Sequence, residues 1–217
     1  MKGLIFDMDG TMIDNMMVHH RAWQQVLAEN GLPLELEEVK EKIHGINEEI
    51  LERLFGDRYT PEQRSAISWK KESMYREIFR KDLKLIPGCM DFIIEMKKRE
   101  IPMVVASAAP PENIDFVLDN LEIRDYFKAV FHSKSVSFGK PHPEIFLKAS
   151  EALKLDPADC IVFEDSPTGA KASANAGCRT IILTTTHQPA EFAEISNIIK
   201  FIPDFQQLDL SQLLINP

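Results

Sequence analysis

Short apolar runs rich in valine, isoleucine and phenylalanine recur at Gly3–Phe6, Pro102–Ala106, Ala129–Phe131, Ile161–Phe163 and Thr180–Leu183, with a weaker one at Ile199–Ile202. Each reads as a strand. Between the later runs the apolar residues recur at helical spacing. Cys89–Arg99 places Phe92, Ile93 and Met96 on one stripe and closes with Lys97-Lys98-Arg99, cations that suit a helix C-terminus. Glu112–Asn120, Pro143–Leu153 and Thr168–Ala176 follow the same pattern. Strands alternating with helices predict an α/β chain with a parallel sheet and right-handed crossovers.

The stretch from about Asn15 to Leu83 breaks this rhythm. It holds no strand-like run, and four helical segments fill it. Val18–Glu29 carries Trp23, Val26 and Leu27 at helical spacing, Glu37–Ile43 is short and charged, and Glu48–Phe55 groups Ile50, Leu51, Leu54 and Phe55. Thr60-Pro61 reads as an N-cap followed by proline at the first helical position, opening a helix that runs to Arg80. The domains expected are therefore a core from residues 1–14 and 84–217 and a helical insert over 15–83.

Composition narrows the partners. The 217 residues are 44% hydrophobic and 27% charged, ordinary for a globular protein. A formal net charge of −9 argues against a nucleic-acid surface, which needs a basic footprint. It leaves phosphate esters open, because one metal ion and one lysine reverse the sign locally. Three cysteines, Cys89, Cys160 and Cys178, are odd in number and lack zinc spacing, and Cys160 beside Ile161-Val162-Phe163 reads as a small core residue. No apolar run approaches the ~20 residues of a membrane span, and no cationic leader precedes the first strand. The expectation is a cytoplasmic protein, a monomer by default, with no membrane or nucleic-acid partner.

Four short elements can carry chemistry. The first strand stops at Asp7-Met8-Asp9-Gly10-Thr11, which delivers carboxylates to the carboxyl edge of a sheet, where open α/β folds bind ligands. Alone, Asp-x-Asp-Gly also reads as a solvated turn or helix cap. Ser107 follows Met103-Val104-Val105-Ala106, where its hydroxyl and the N–H groups beyond it, from Ala108 onward, can meet a phosphoryl oxygen, although Ser-Ala-Ala is a common strand-to-loop transition. Lys140 is flanked by Gly139 and Pro141 ahead of a helix, which limits a side chain that is usually a solvated charge. Glu164 and Asp165 end another apolar run and precede a helix, so they can also simply complement its dipole. Two acid clusters at parallel strand ends repel unless a cation joins them, and Mg²⁺ suits carboxylate oxygen.

In order and spacing these four elements resemble the motifs of the haloacid dehalogenase superfamily. Phe6–Thr11, His19-His20-Arg21-Ala22-Trp23, Gly139–Pro143 and Glu164-Asp165-Ser166 look most like its β-phosphoglucomutase-like phosphatases and phosphomutases. The resemblance implies a Rossmann-like core with an inserted α-helical cap, and a role for each residue. Asp7 is then the nucleophile that forms an aspartyl-phosphate, and Asp9 the acid and base. Ser107, Ala108 and Lys140 bind the phosphoryl group. Asp7, the Asp9 carbonyl, Glu164 and Asp165 hold Mg²⁺. His19 helps position the cap and Asp9, with Glu48 and Lys71 as further candidate cap or substrate residues.

The substrate expected is a small phosphorylated metabolite, such as a sugar phosphate, and the reaction hydrolysis. A sugar phosphomutase is the alternative. Against it, Gly45-Ile46-Asn47-Glu48 places an acid where the mutases of this subgroup carry an arginine, and Ala108-Ala109-Pro110-Pro111 replaces their polar loop. Arg53, Lys70 and Lys71 can still supply charge, although each reads first as a solvated helix residue. A phosphoacceptor signalling domain also groups acids, a hydroxyl and a lysine, but needs neither a lid nor Asp9.

Overall fold

The computed structural model describes residues 2–43 and 46–208. After β1 (Gly3–Phe6) the chain forms helices α1 (Met16–Glu29), α2 (Leu36–Lys42), α3 (Asn47–Phe55) and α4 (Pro61–Phe79). It continues through α5 (Cys89–Lys98), β2 (Met103–Ala106), α6 (Pro111–Asn120), β3 (Ala129–Phe131), α7 (Glu144–Leu153) and β4 (Cys160–Glu164). It ends with α8 (Pro167–Ala176), β5 (Arg179–Leu183) and β6 (Ile198–Ile202). The sheet order is β3-β2-β1-β4-β5-β6, and every pairing is parallel. The fold is thus the expected α/β class with a helical insert after the first strand.

The apolar runs are explained by burial on both faces. Side chains alternate across a strand, so Leu4 and Phe6 face one side and Ile5 the other. Phe6 stacks on Phe163 at 4.8 Å between ring centroids and meets Phe92 and Phe127 edge-on at 6.1 and 5.8 Å. On the opposite face Ile5, Val104 and Val162 pack with Ile145, Phe146 and Ala149 of α7 and Ala172 and Ala176 of α8. Cys160 and Cys178 belong to this second cluster, as small core side chains, and burial pushes the Cys178 thiol up to about 12. Pro102 stays outside β2, as a residue without an N–H must in an interior strand.

By internal packing the chain divides into two units, Met1–Asp14 with Lys84–Pro217, and Asn15–Leu83. The second unit has its own core of Trp23, Leu27, Val39, Ile43, Ile50 and Leu51. Its longest helix, α4, opens on a capping box: Gln63 N–H donates to Thr60 Oγ1 at 3.3 Å, and Thr60 N–H donates to Gln63 Oε1 at 2.9 Å. Among the described residues no helix is long and apolar enough to cross a membrane.

Candidate functional site

The centre of the sheet places the first acid. Asp7 N–H donates to the Phe163 carbonyl at 3.0 Å, so the ladder runs one residue past β1 and fixes the Asp7 backbone beside β4. Next along β4 come Glu164, its last residue, and then Asp165. Ligand oxygens of Asp7, Glu164 and Asp165 lie within 4.8 Å of one another. From the loop between β3 and α7, Lys140 Nζ donates to Asp7 Oδ1 and to Glu164 Oε1, at 2.7 Å each. All three of these side chains are at most 8% exposed. The ammonium also lies 4.9 Å from the centre of the Phe146 ring.

Glu164 is held on both oxygens. While Oε1 takes Lys140, Oε2 accepts from the N–H groups of Asp165 and Ser166 at 2.8 Å each and from Ser166 Oγ at 3.0 Å. Ser166 in turn caps α8, accepting from Gly169 N–H at 3.0 Å. Gly169 is required here by space, because a Cβ on it would overlap the Glu164 carboxylate. A glutamate can therefore end a buried strand, being matched by a lysine on one side and a helix start on the other.

The electrostatics are unbalanced: three carboxylates share one ammonium. Burial pushes the Asp7 carboxyl up to about 7, with Glu164 and Asp9 adding to the rise and Lys140 opposing it. Burial likewise holds Asp165 well above the usual carboxylate range, reinforced by Glu164 and Asp7. Against the opposing effect of burial, Lys140 and the Ser166 donors keep Glu164 below that range. Lys140 is raised, because Asp7 and Glu164 outweigh its own burial. A buried all-oxygen cluster with excess negative charge fits a hard divalent cation, which would supply the missing countercharge.

Other sequence-derived candidates stand at the same edge. Phe6 pairs with Val105, so Ser107 at the end of β2 is the neighbour strand's counterpart to the Asp7 turn. Its hydroxyl is buried and accepts from Ala109 N–H at 3.2 Å, which leaves its own proton to be donated. Ala108 between them is exposed. Asp9 is half-buried, in a tight turn where the N–H groups of Thr11, Met12 and Ile13 all donate to the Met8 carbonyl. Gly10 adopts φ +72°, and a Cβ there would overlap Asp165 Oδ2. Sequence reasoning missed Thr185 and Thr186, which reach this turn from the loop after β5. The only sequence signal was three threonines directly beyond a strand.

His19, Glu48 and Lys71 belong to the helical unit. Lys71 was expected first as a solvated helix residue and is instead 3% exposed, which corrects that reading. Its neighbour Lys70 takes the solvated role, pairing with Glu29 at 2.6 Å. Lys71 Nζ donates to Glu72 Oε1 at 2.7 Å and lies 3.0 Å from His19 Nδ1. An ammonium only donates, so in this contact His19 Nδ1 is the acceptor. The His19 ring stacks on Tyr75 at 3.9 Å, and Asn47 Nδ2 donates to Glu72 at 2.7 Å. Glu48 is exposed on the first turn of α3, and Gly45 lies outside the described residues.

Burial opposes the Glu72 charge, but Lys71 and His19 prevail and hold its carboxyl down to about 2. A pKa lower in the folded than in the unfolded chain adds stability above about pH 4.5 that is lost as pH falls toward 2. Glu72→Gln, which also strands a buried ammonium, is expected to cost about 3 kcal/mol near neutrality. The deficit should shrink to little near pH 2, as read by urea unfolding across that range. A pH-independent deficit would contradict the pairing.

Comparison with known proteins agrees with this geometry. The family model for haloacid dehalogenase-like hydrolases matches residues 1–177. A β-phosphoglucomutase of Bacillus subtilis is 32% identical over 185 residues, covering 82% of this chain and 80% of that protein. A phosphorylated carbohydrates phosphatase of Thermotoga maritima is 29% identical over 189 residues, covering 83% and 84%. The crystal structure of a family IA, variant 3 HAD hydrolase from Entamoeba histolytica superposes with a TM-score of 0.90 at 26% identity, covering 99% of this chain and 98% of that one. With the acids of β1 and β4, Ser107 and Lys140 gathered at one sheet edge, the chain belongs to the haloacid dehalogenase-like hydrolases.

Proposed function

We propose that this protein is a Mg²⁺-dependent phosphatase that hydrolyses a small phosphorylated metabolite, such as a sugar phosphate, through an aspartyl-phosphate on Asp7. The observation that carries this reading is Lys140 bridging Asp7 and Glu164 at 2.7 Å each beside Asp165. In this reading Asp7, the Asp9 carbonyl and Asp165 hold the cation, with Glu164 contributing charge from among the hydrogen bonds on its two oxygens. Bound there, Mg²⁺ neutralises charge on the phosphoryl oxygens.

One Asp7 carboxylate oxygen attacks phosphorus, and the bond from phosphorus to the leaving alcohol oxygen breaks. Asp9 gives that oxygen its proton, then takes one from the water that attacks the phosphorus of the acyl phosphate. Water's oxygen leaves in inorganic phosphate, and the Asp7 carboxylate is restored. Ser107 Oγ–H and Ala108 N–H donate to the phosphoryl oxygens, and Lys140 offsets the repulsion between Asp7 and a phosphate dianion. The helical insert takes the role of cap in this scheme, with His19, Glu48 and Lys71 as its candidate specificity residues.

The relative from Bacillus subtilis, named as a β-phosphoglucomutase, favours a second reading, transfer between two positions of one sugar. A mutase must bind a second phosphate, which calls for uncompensated cations. Lys71 is already matched by Glu72, and Glu48 adds negative charge on α3, both of which favour hydrolysis. The test is a panel of sugar phosphates, nucleotides, pyrophosphate and phosphonates, run with Mg²⁺ or chelator and with or without a sugar bisphosphate. Steady, cation-dependent phosphate release that ignores the bisphosphate is expected. Isomerisation that requires the bisphosphate, with negligible release, would overturn hydrolysis.

A further inference from the structure

Two hydroxyls from the loop after β5 close on the acidic turn. Thr185 Oγ1 donates to the Gly10 carbonyl at 2.5 Å and lies 3.4 Å from Thr186 Oγ1. Thr186 Oγ1 is 2.9 Å from the point where a Cβ on Gly10 would stand, and Asp165 Oδ2 crowds the same point. The bare α-carbon of Gly10 thus lets the β1 turn, the Asp165 carboxylate and both threonines converge. The Thr186 hydroxyl and the Asp165 carboxylate thus face the same α-carbon, within reach of one another. The neighbouring Thr184 is engaged differently, with its N–H donating to the Ile202 carbonyl of β6 at 2.9 Å. It serves the sheet, so the two threonines beyond it stand apart.

We propose that Thr185 and Thr186 are positioning residues of the acidic site: Thr185 pins the Asp9-Gly10 turn by its carbonyl, Thr186 orients the Asp165 carboxylate, and together they set the affinity for the divalent cation. The proposal rests on the reading of Asp7 and Asp165 as cation ligands. A carboxylate free to rotate presents its ligand oxygen only part of the time, and a turn free to drift carries the Asp9 carbonyl with it. Partners of metal ligands typically contribute 10- to 100-fold to metal affinity. Thr186 is exposed, so replacing it leaves no buried cavity.

The test is Mn²⁺ binding to the full chain, read by the loss of the free-ion paramagnetic resonance signal, with Mg²⁺ as competitor. Thr185→Val and Thr186→Val are each expected to weaken binding by roughly tenfold or more, and Thr185→Ser and Thr186→Ser to restore it. Phosphatase turnover of the valine variants should recover when the cation is raised in proportion. Asp165→Asn serves as the reference and should abolish tight binding. If it does and both valine variants bind as tightly as the wild type, the threonine proposal fails alone. Serine variants that bind as weakly as the valine ones also overturn it. If Asp165→Asn itself binds normally, the cation site falls, and the threonine role with it.

Discussion

Asp7→Asn is expected to lower kcat by ~10⁴-fold or more while the protein remains folded. The amide has the shape of the carboxylate but lacks its nucleophilic oxygen. Asp7 is placed by its backbone, through the N–H that donates to Phe163 and the β1 ladder, so the turn should keep its course. Lys140 retains Glu164 as a partner. The substitution also removes a carboxyl that burial, with repulsion from Glu164 and Asp9, raises to about 7. Without added cation the variant should therefore unfold at a temperature no lower than the wild type. Steady-state phosphate release and a thermal melt check both halves, and activity within tenfold of wild type would refute the nucleophile assignment.

Lys140→Ala carries the second large effect, and it acts on stability and rate together. Removing the ammonium leaves Asp7 and Glu164 buried with no cationic side chain between them. Stripping one partner from a buried ion pair costs about 3–5 kcal/mol, and that deficit is expected in cation-free protein. Divalent cation should return part of it by taking over the countercharge. The rate is a separate matter. Loss of one preorganised charge at the phosphoryl group is expected to lower kcat by ~10²- to 10³-fold, even at saturating cation. Lys140→Arg should fall between, because the guanidinium keeps the charge but cannot converge as a single point on two carboxylates 2.7 Å away. Denaturant unfolding with and without Mg²⁺, alongside turnover, separates the two effects. A stable, fully active alanine variant would contradict both.

Much of this was legible in the chain because local and tertiary demands coincide. An apolar run that ends at Phe6 and gives way to Asp7 reads as a buried strand that reaches an edge. Thr60-Pro61 marks the start of α4 through a cap that is entirely local. β4 was read one residue short at each end, because Cys160 and Glu164 do not advertise a strand. Glu164 is tolerated in the ladder opposite Ile182 because Lys140, distant in sequence, meets its charge. In Lys70-Lys71-Glu72 three adjacent charges look alike. Only the helical offset between neighbours, set by how α4 packs, sends Lys70 to solvent and Lys71 inward. Thr185 and Thr186 were invisible for a related reason. Their importance lies in meeting Gly10, and nothing in a run of threonines announces that approach.

The account turns on a covalent phosphoryl group at Asp7, and one rapid-quench experiment addresses it directly. Enzyme in excess is mixed with a turned-over phosphate monoester and Mg²⁺, acid-quenched within a single turnover, digested, and analysed by mass spectrometry. The account predicts one phosphoryl group on the peptide that contains Asp7, appearing before free phosphate and decaying as phosphate accumulates. Phosphate released with no phosphoryl group ever found on that peptide, or one found on another residue, would contradict it.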